Sequence, residues 1–234
     1  WFFFCEYLPH YATCTDQSEF HAWASKALVS IINADGGIRQ AVAAPRGEGK
    51  TTLMIIGFAL WCIVNNKKHF ILIIMDAFEG QAAPALESIK AELEVNPRLG
   101  NDFPDACGQG RVWQAGVMVT NNNIKVQAFG AGKRLRGIKH GPYRPDLALL
   151  SDLENDENVR SKTQRDKRES WIMRAVLKLG PPDGSMDVVY EGTILHYDAV
   201  LSRALKSPTW RARAKVFRSI IRWPDRMDLW DKWE

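Results

Sequence analysis

Cysteine and histidine are scarce in this 234-residue chain, which has four of the first (Cys5, Cys14, Cys62, Cys107) and five of the second. None falls in a CxxC or Cys/His ligand spacing, so a zinc module or a disulfide scaffold is excluded. Cys62 sits in an apolar run and reads as a small buried hydrophobe, which suits a reducing compartment. His10, His21, His69, His140 and His196 read as surface or capping residues. No apolar run reaches bilayer length; the longest, 53–64, is twelve residues with Gly57 inside it. The first five residues, Trp-Phe-Phe-Phe-Cys, have neither an initiator Met nor a basic flank and do not read as a signal peptide. Internal repeats and low-complexity linkers are also missing. The ends, 1–5 and 231–234, are expected to be cut points in a longer protein.

What is present is a globular composition, 46% hydrophobic, with a formal net charge of +4. The charge is unevenly spread. Residues 1–100 carry 8 Lys/Arg against 10 Asp/Glu, net −2, and residues 101–234 carry 23 against 17, net +6. The second half is where a polyanion would touch.

Strand-like and helix-like segments alternate. Residues 15–32 have helical apolar spacing ended by Asp35-Gly36-Gly37, and 41–44 is a short buried strand followed by a helix to about residue 64. The run 69–76 is an expected strand, unbroken and hydrophobic between His69 and Asp76, as in a parallel sheet covered on both faces. A helix over 79–95 follows. Two strands, 111–120 and 124–129, flank Asn121-Asn122-Asn123 and predict a hairpin. Further expectations are a strand over 145–152, a long helix over 159–179, a strand over 187–193, a helix over 197–205 and a last strand over 211–221. The pattern predicts one three-layer α/β domain with a mainly parallel central sheet and a β-hairpin insertion. Its parts are a helical lead-in (1–38), a core (39–222) and the start of a linker (223–234).

The strongest local signal is Ala44-Pro45-Arg46-Gly47-Glu48-Gly49-Lys50-Thr51, a P-loop (Walker A) pattern with Ala in place of the first Gly. Glycines let backbone N–H groups curl around phosphates, Lys50 reaches the β and γ oxygens, and Thr51 offers a hydroxyl to Mg²⁺. The nucleotide-binding set is therefore Ala44, Pro45, Arg46, Gly47, Glu48, Gly49, Lys50, Thr51 and Thr52. A second fragment, Gly130-Ala131-Gly132-Lys133, is a decoy, because Arg134 stands where the metal-binding hydroxyl belongs. A hydrolase of this kind also needs a strand ending in acids. Leu147-Ala148-Leu149-Leu150-Ser151-Asp152-Leu153-Glu154 supplies one, about 100 residues after Lys50. Ser151 cannot carry the first charge, so Asp152 is expected to take the metal or water role (a Walker B acid) and Glu154 the role of catalytic base. The competing reading of Ser151 and Asp152 is a helix N-cap with acids on the first turn. Because the strand 70–76 intervenes in sequence, the arrangement points to the additional-strand, catalytic-acid class of P-loop NTPases.

In this order, the glycine loop, Gly132-Lys133-Arg134-Leu135-Arg136-Gly137, Arg144-Pro145-Asp146-Leu147, Asp152 through Ser161, and Glu191-Gly192-Thr193 resemble the ATPase domain of a tailed-bacteriophage large terminase subunit. The resemblance covers nearly the whole chain. It implies an ATP- and Mg²⁺-dependent motor that pumps double-stranded viral DNA into a procapsid in the host cell cytoplasm. It also implies a homo-oligomeric ring, a portal protein and a small terminase subunit as partners, and no membrane. Under it, Thr51 and Asp152 hold the metal, Arg46 approaches the γ-phosphate and Thr193 senses it. Arg134 and Arg136 would reach into a neighbour's site. Related sequences read Asp-Asp where this one reads Ser151-Asp152, so hydrolysis is expected to be weakened. The nuclease that usually follows such a domain has no acidic cluster here, and DNA cleavage is not expected of this stretch.

Eight basic residues against one acid over 203–226 include the candidate DNA contacts Arg211, Arg213, Lys215 and Arg218. A solvated face or subunit interface is the other reading of that stretch. Trp210, Trp223, Trp230 and Trp233 are expected to pack or dock rather than stack on bases. The alternatives to a packaging motor are a helicase-like nucleic-acid-dependent ATPase, and a nucleotide-binding assembly module that hydrolyses little because of Ser151.

Overall fold

The computed structural model describes residues 1–12, 17–34, 36–223 and 225–230, with the Arg211 side chain outside that description. The expectations resting on Cys14, Asp35, Trp233 and Arg211's side chain therefore lie outside the described residues. Continuously apolar strands build the centre. β2 (Phe70–Met75) and β6 (Leu147–Ser151) are buried at every position, as are four of the five residues of β1 (Arg39–Ala43) and all of β7 (Asp187–Gly192). A strand dry on both faces must be covered on both, and parallel sheets are covered by their crossover helices.

The result is an eight-stranded sheet in the order β3-β4-β5-β2-β6-β7-β1-β8, where β3 is Val112–Gln114, β4 Val117–Val119, β5 Lys125–Gly130 and β8 Ala214–Val216. Pairing is parallel from β5 through β8 and antiparallel among β3, β4 and β5. On one face pack α1 (Phe2–Tyr7), α2 (Glu19–Ile32), a π-helical stretch (Thr52–Gly57) running into α3 (Phe58–Val64), α4 (Ala83–Val95) and α5 (Pro97–Asp102). The other face is covered by α6 (Lys162–Arg174), α7 (Val200–Lys206) and α8 (Pro208–Arg211). Three layers follow, and the helical lead-in shares its core cluster with α3.

Several expected boundaries shift. The expected strand 111–120 breaks at Ala115-Gly116 into β3 and β4, and the asparagine turn, with Asn123 at φ +63°, joins β4 to β5. The predicted helix 159–179 is interrupted into a 3₁₀ turn, α6 and a second 3₁₀ turn, and the predicted strand 211–221 shrinks to β8. As expected, β2 separates β1 from β6 in sequence. In space the strand between them is β7, and β2 lies on the far side of β6; crossover connections let a later strand insert between earlier ones. Among the described residues no helix is long and apolar enough to cross a membrane.

Carboxylates close the N-terminal ends of the dry strands. Asp146 Oδ1 and Oδ2 accept the N–H groups of Phe70 and His69 at 2.9 and 2.8 Å. Asp187, 1% exposed, accepts the Ile38 N–H at 2.8 Å through Oδ1 and pairs with Lys68 Nζ at 2.7 Å through Oδ2. Truncation there leaves a largely buried ammonium and a backbone donor without partners, so Asp187→Ala should lower the unfolding free energy by about 3 kcal/mol in a denaturant titration, with Asp187→Asn in between.

Candidate functional site

In open α/β sheets ligands are received beyond the carboxyl ends of the strands. Here the ends of the three neighbours β1, β7 and β6 converge on one group of polar side chains. The chain leaves β1 through Ala44 and curls over residues 45–49, with Gly47 at φ +88° and Gly49 at φ +64°, which side chains rarely adopt. The helix then begins at Lys50. Lys50 is 6% exposed; its Nζ donates to the Pro45 carbonyl at 2.8 Å and to Thr193 Oγ1 at 3.1 Å. Thr193 in turn donates through Oγ1 to the Ala44 carbonyl at 3.4 Å and through its N–H to Asp152 Oδ1 at 3.0 Å. Lys50, Thr193 and Asp152 thus form one continuous chain of hydrogen bonds across three strand ends.

Asp152 turns into position directly after β6 by adopting φ +38°, a left-handed backbone that a non-glycine residue holds only when its surroundings demand it. Its N–H donates to the Glu191 carbonyl at 3.2 Å, which fixes the turn to β7. Thr51, one residue into the helix, donates through Oγ1 to Glu191 Oε1 at 3.1 Å and lies 3.2 Å from Ser151 Oγ. A cavity of about 290 Å³ opens beside Thr51, Ser151 and Asp152, walled by Met75 and Gln81. Thr52 continues the helix, half-buried.

Glu191 is the residue sequence reasoning passed over. It stood in the quoted Glu191-Gly192-Thr193 stretch without a role, and the signal that could have found it is an acid at the end of a buried strand. It is fully buried and pairs in register with Ser151. Oε2 has no hydrogen-bond partner among the described residues. Burial first, then the neighbouring Asp152 charge, pushes its carboxyl up to about 7, against the Ser151 and Thr51 hydroxyls and the Lys50 ammonium.

The other expected residues fall further out. Arg46 is exposed on the loop and reaches Asp156 Oδ2 at 3.3 Å. Glu48 is tied to the start of α2, where the His21 ring donates to its carbonyl at 3.0 Å and Ser18 Oγ to its carboxylate at 3.2 Å; His21 is thus both a helix-capping residue and a support for the loop. Glu154 Oε2 accepts the Val200 N–H at 2.7 Å at the start of α7, and burial raises its carboxyl above the usual range. Arg134 lines a groove with Asp76, Phe78 and Lys133, and Arg136 lies against α6 beside Asp166 and Trp171. Both follow β5, four strand positions from β1, about 19 Å at ~4.8 Å per step. The structure does not bring them to the loop of their own chain.

The basic stretch 203–226 is partly spent on internal contacts. Arg203 pairs with Asp198, Asp166 and Glu169, Arg213 donates to Ser30 Oγ at 2.8 Å, and Lys215 lies 5.3 Å from the Phe217 ring centre on edge strand β8. Arg218 is exposed. Trp210 is buried, whereas Trp223 and Trp230 are exposed.

The Glu191 carboxyl gives a pH signature for the protein free of nucleotide and divalent metal. Its ordinary value is 4.5 and its folded value about 7, so the folded state holds the proton more tightly. Stability contributed this way is complete below 4.5 and is lost as pH rises through about 7. Glu191→Gln removes that loss. Thermal melts in chelator should place the variant level with wild type near pH 4.5 and more stable than it at pH 8, by about 2 kcal/mol.

No protein-family model and no curated protein matches the chain, so its function has to be argued from this geometry.

Proposed function

We propose that this chain is a Mg²⁺-dependent ATPase of the additional-strand, catalytic-acid P-loop class. In this reading it is the motor domain of a terminase-like large subunit, acting in a homo-oligomeric ring that translocates double-stranded DNA into a viral procapsid. The observation that carries the reading is the chain from Lys50 through Thr193 to Asp152 at the ends of β1, β7 and β6. A buried lysine at the first turn of a helix, below a loop with two left-handed glycines, is an anion receptor. A threonine directly after β7 that accepts from the lysine and donates its hydroxyl to the Ala44 carbonyl is placed to register whether that anion is there.

The donor set suits magnesium. It is all oxygen, with the Thr51 hydroxyl, the Asp152 carboxylate and the orphaned Glu191 Oε2, and Mg²⁺ is held by one or two carboxylates together with phosphates and water. When bound, it would neutralise the charge that develops on the transferring phosphoryl group. The protein's own steps follow from the hydrogen bonds. Lys50 exchanges the Pro45 carbonyl and Thr193 for β and γ oxygens. Thr193, relieved of that donor, passes the change through its N–H to Asp152. Asp152 or Glu154 orients the attacking water, and for Glu154 this means releasing the Val200 N–H, so that the start of α7 moves with the chemistry. Arg46, or Arg134 and Arg136 from a neighbour, supply the positive charge that completes phosphoryl transfer; the four-strand separation favours a neighbour as the source of the last two. DNA, a portal protein and a small subunit as partners, and the host cytoplasm as location, belong to this proposal.

A nucleotide-binding assembly module is the second reading, favoured by the engagement of Glu154 with α7 and by the uncharged Ser151. Turnover decides between them. For a motor, ATP hydrolysis should rise with protein concentration and with double-stranded DNA, and Lys50→Ala should lower it at least about 100-fold. Tight nucleotide binding without DNA-stimulated turnover would instead identify the module, and strand displacement would identify a helicase.

Completion in trans has its own signature. Arg134→Ala/Arg136→Ala subunits keep the loop and Lys50→Ala subunits keep the arginines. Each preparation should be nearly inactive alone, and their mixture should regain a measurable part of wild-type turnover; an inactive mixture would rule out the arginines as residues acting between subunits.

A further inference from the structure

Ser151 leaves the end of β6 without a carboxylate at its last position, yet a carboxylate is present at the same level of the sheet. Residue 191 is the register partner of Ser151 on the adjacent strand. Two hydroxyls and one acid therefore meet at one point, with Thr51 Oγ1 3.1 Å from Glu191 Oε1 and 3.2 Å from Ser151 Oγ. We propose that Glu191 is the metal-holding carboxylate of this site, displaced by one strand from β6 to β7, and that Thr51, Ser151 and Glu191 together receive the divalent cation that accompanies the nucleotide.

Three observations carry this. Glu191 is 0% exposed and its Oε2 has no partner among the described residues. A buried carboxylate oxygen without a donor is costly and calls for a cation or a proton. The Lys50 ammonium at these strand ends is bonded to Pro45 and Thr193 and to neither acid. Two acids, Glu191 and Asp152, thus stand against one ammonium that is engaged elsewhere. Finally, Asp152 Oδ1 is held by the Thr193 N–H, so part of that carboxylate is already committed to joining the strands. The division of work is then plain. Asp152 couples β6 to β7, and Glu191 answers to the metal.

The inference rests on the nucleotide-binding reading, and the test separates the two. The probes are a non-hydrolysable ATP analogue and Mn²⁺, on the whole 234-residue chain, with bound Mn²⁺ followed by electron paramagnetic resonance and analogue affinity measured in chelator and in Mg²⁺. Wild type is expected to bind one nucleotide-dependent Mn²⁺. Glu191→Gln should weaken Mn²⁺ about 10-fold or more while leaving analogue affinity in chelator within about twofold. The double variant S151D/E191Q returns a carboxylate to β6 and should recover most of the lost Mn²⁺ affinity. It also keeps the inference testable should E191Q alone melt at the assay temperature, since a double variant that folds without regaining Mn²⁺ would count against a shared metal position. Unchanged Mn²⁺ affinity in E191Q, or its loss in Asp152→Asn with Glu191 in place, overturns the assignment to Glu191 and leaves nucleotide binding standing. Failure of wild type to bind the analogue with or without metal would overturn the nucleotide reading itself.

Discussion

Everything in this molecule depends on a set of strands that can be wet only at their ends. β2 is apolar throughout, β6 up to its final Ser151 and β1 over its last three residues, and all but Arg39 of these positions are buried. Helices must cover both sides, and polar groups that need a partner or a ligand are forced to the two rims. At the N-terminal rim Asp146 and Asp187 collect backbone N–H groups and hold neighbouring strands in register. At the C-terminal rim the same logic leaves Lys50, Thr193 and Asp152 linked to one another, and Thr51 to Glu191 and Ser151. The first rim is internally satisfied, whereas at the second Glu191 Oε2 has no partner among the described residues.

The surplus at the second rim is carried by Glu191. It is the acid placed within the dry part of a strand, where a neutral residue would be expected, and it stands beside the serine that occupies the end of β6. Seen alone, Ser151 suggests a silenced hydrolase. Together with Glu191 it suggests that the charge has been moved by one strand spacing, about 4.8 Å, within the reach of the same threonine. The cost of keeping that carboxyl dry is local, and it sits where a cation would relieve it.

Arginines divide into two kinds. Arg165, Arg168 and Arg203 are tied to Asp198, Asp76, Asp166 and Glu169 and fasten α6 to α7 and to the sheet. Arg46, Arg134 and Arg136 are exposed on loops that follow the C-terminal ends of their strands. A count of basic residues cannot distinguish these groups, because the difference lies in which acids the fold places next to them.

Much of the architecture was legible in the sequence. Unbroken apolar runs such as 70–75 specify buried parallel strands, the asparagine turn specifies a reversal, and the spacing of glycines around Lys50 specifies a loop that needs positive φ, all of which are local properties of the chain. Contacts between distant segments were not legible. The order of strands placed β7, not β2, between β1 and β6, because crossover helices free sequence order from spatial order. That placement alone put Glu191 beside Ser151, Thr193 under Lys50 and Glu154 at the start of α7. By itself the sequence determined which loop had to adopt positive φ and which strands had to be dry, since periodicity and backbone sterics act within a few residues. Only the tertiary structure decided which carboxylate faces Thr51, because that choice depends on pairing two strands forty residues apart in the chain.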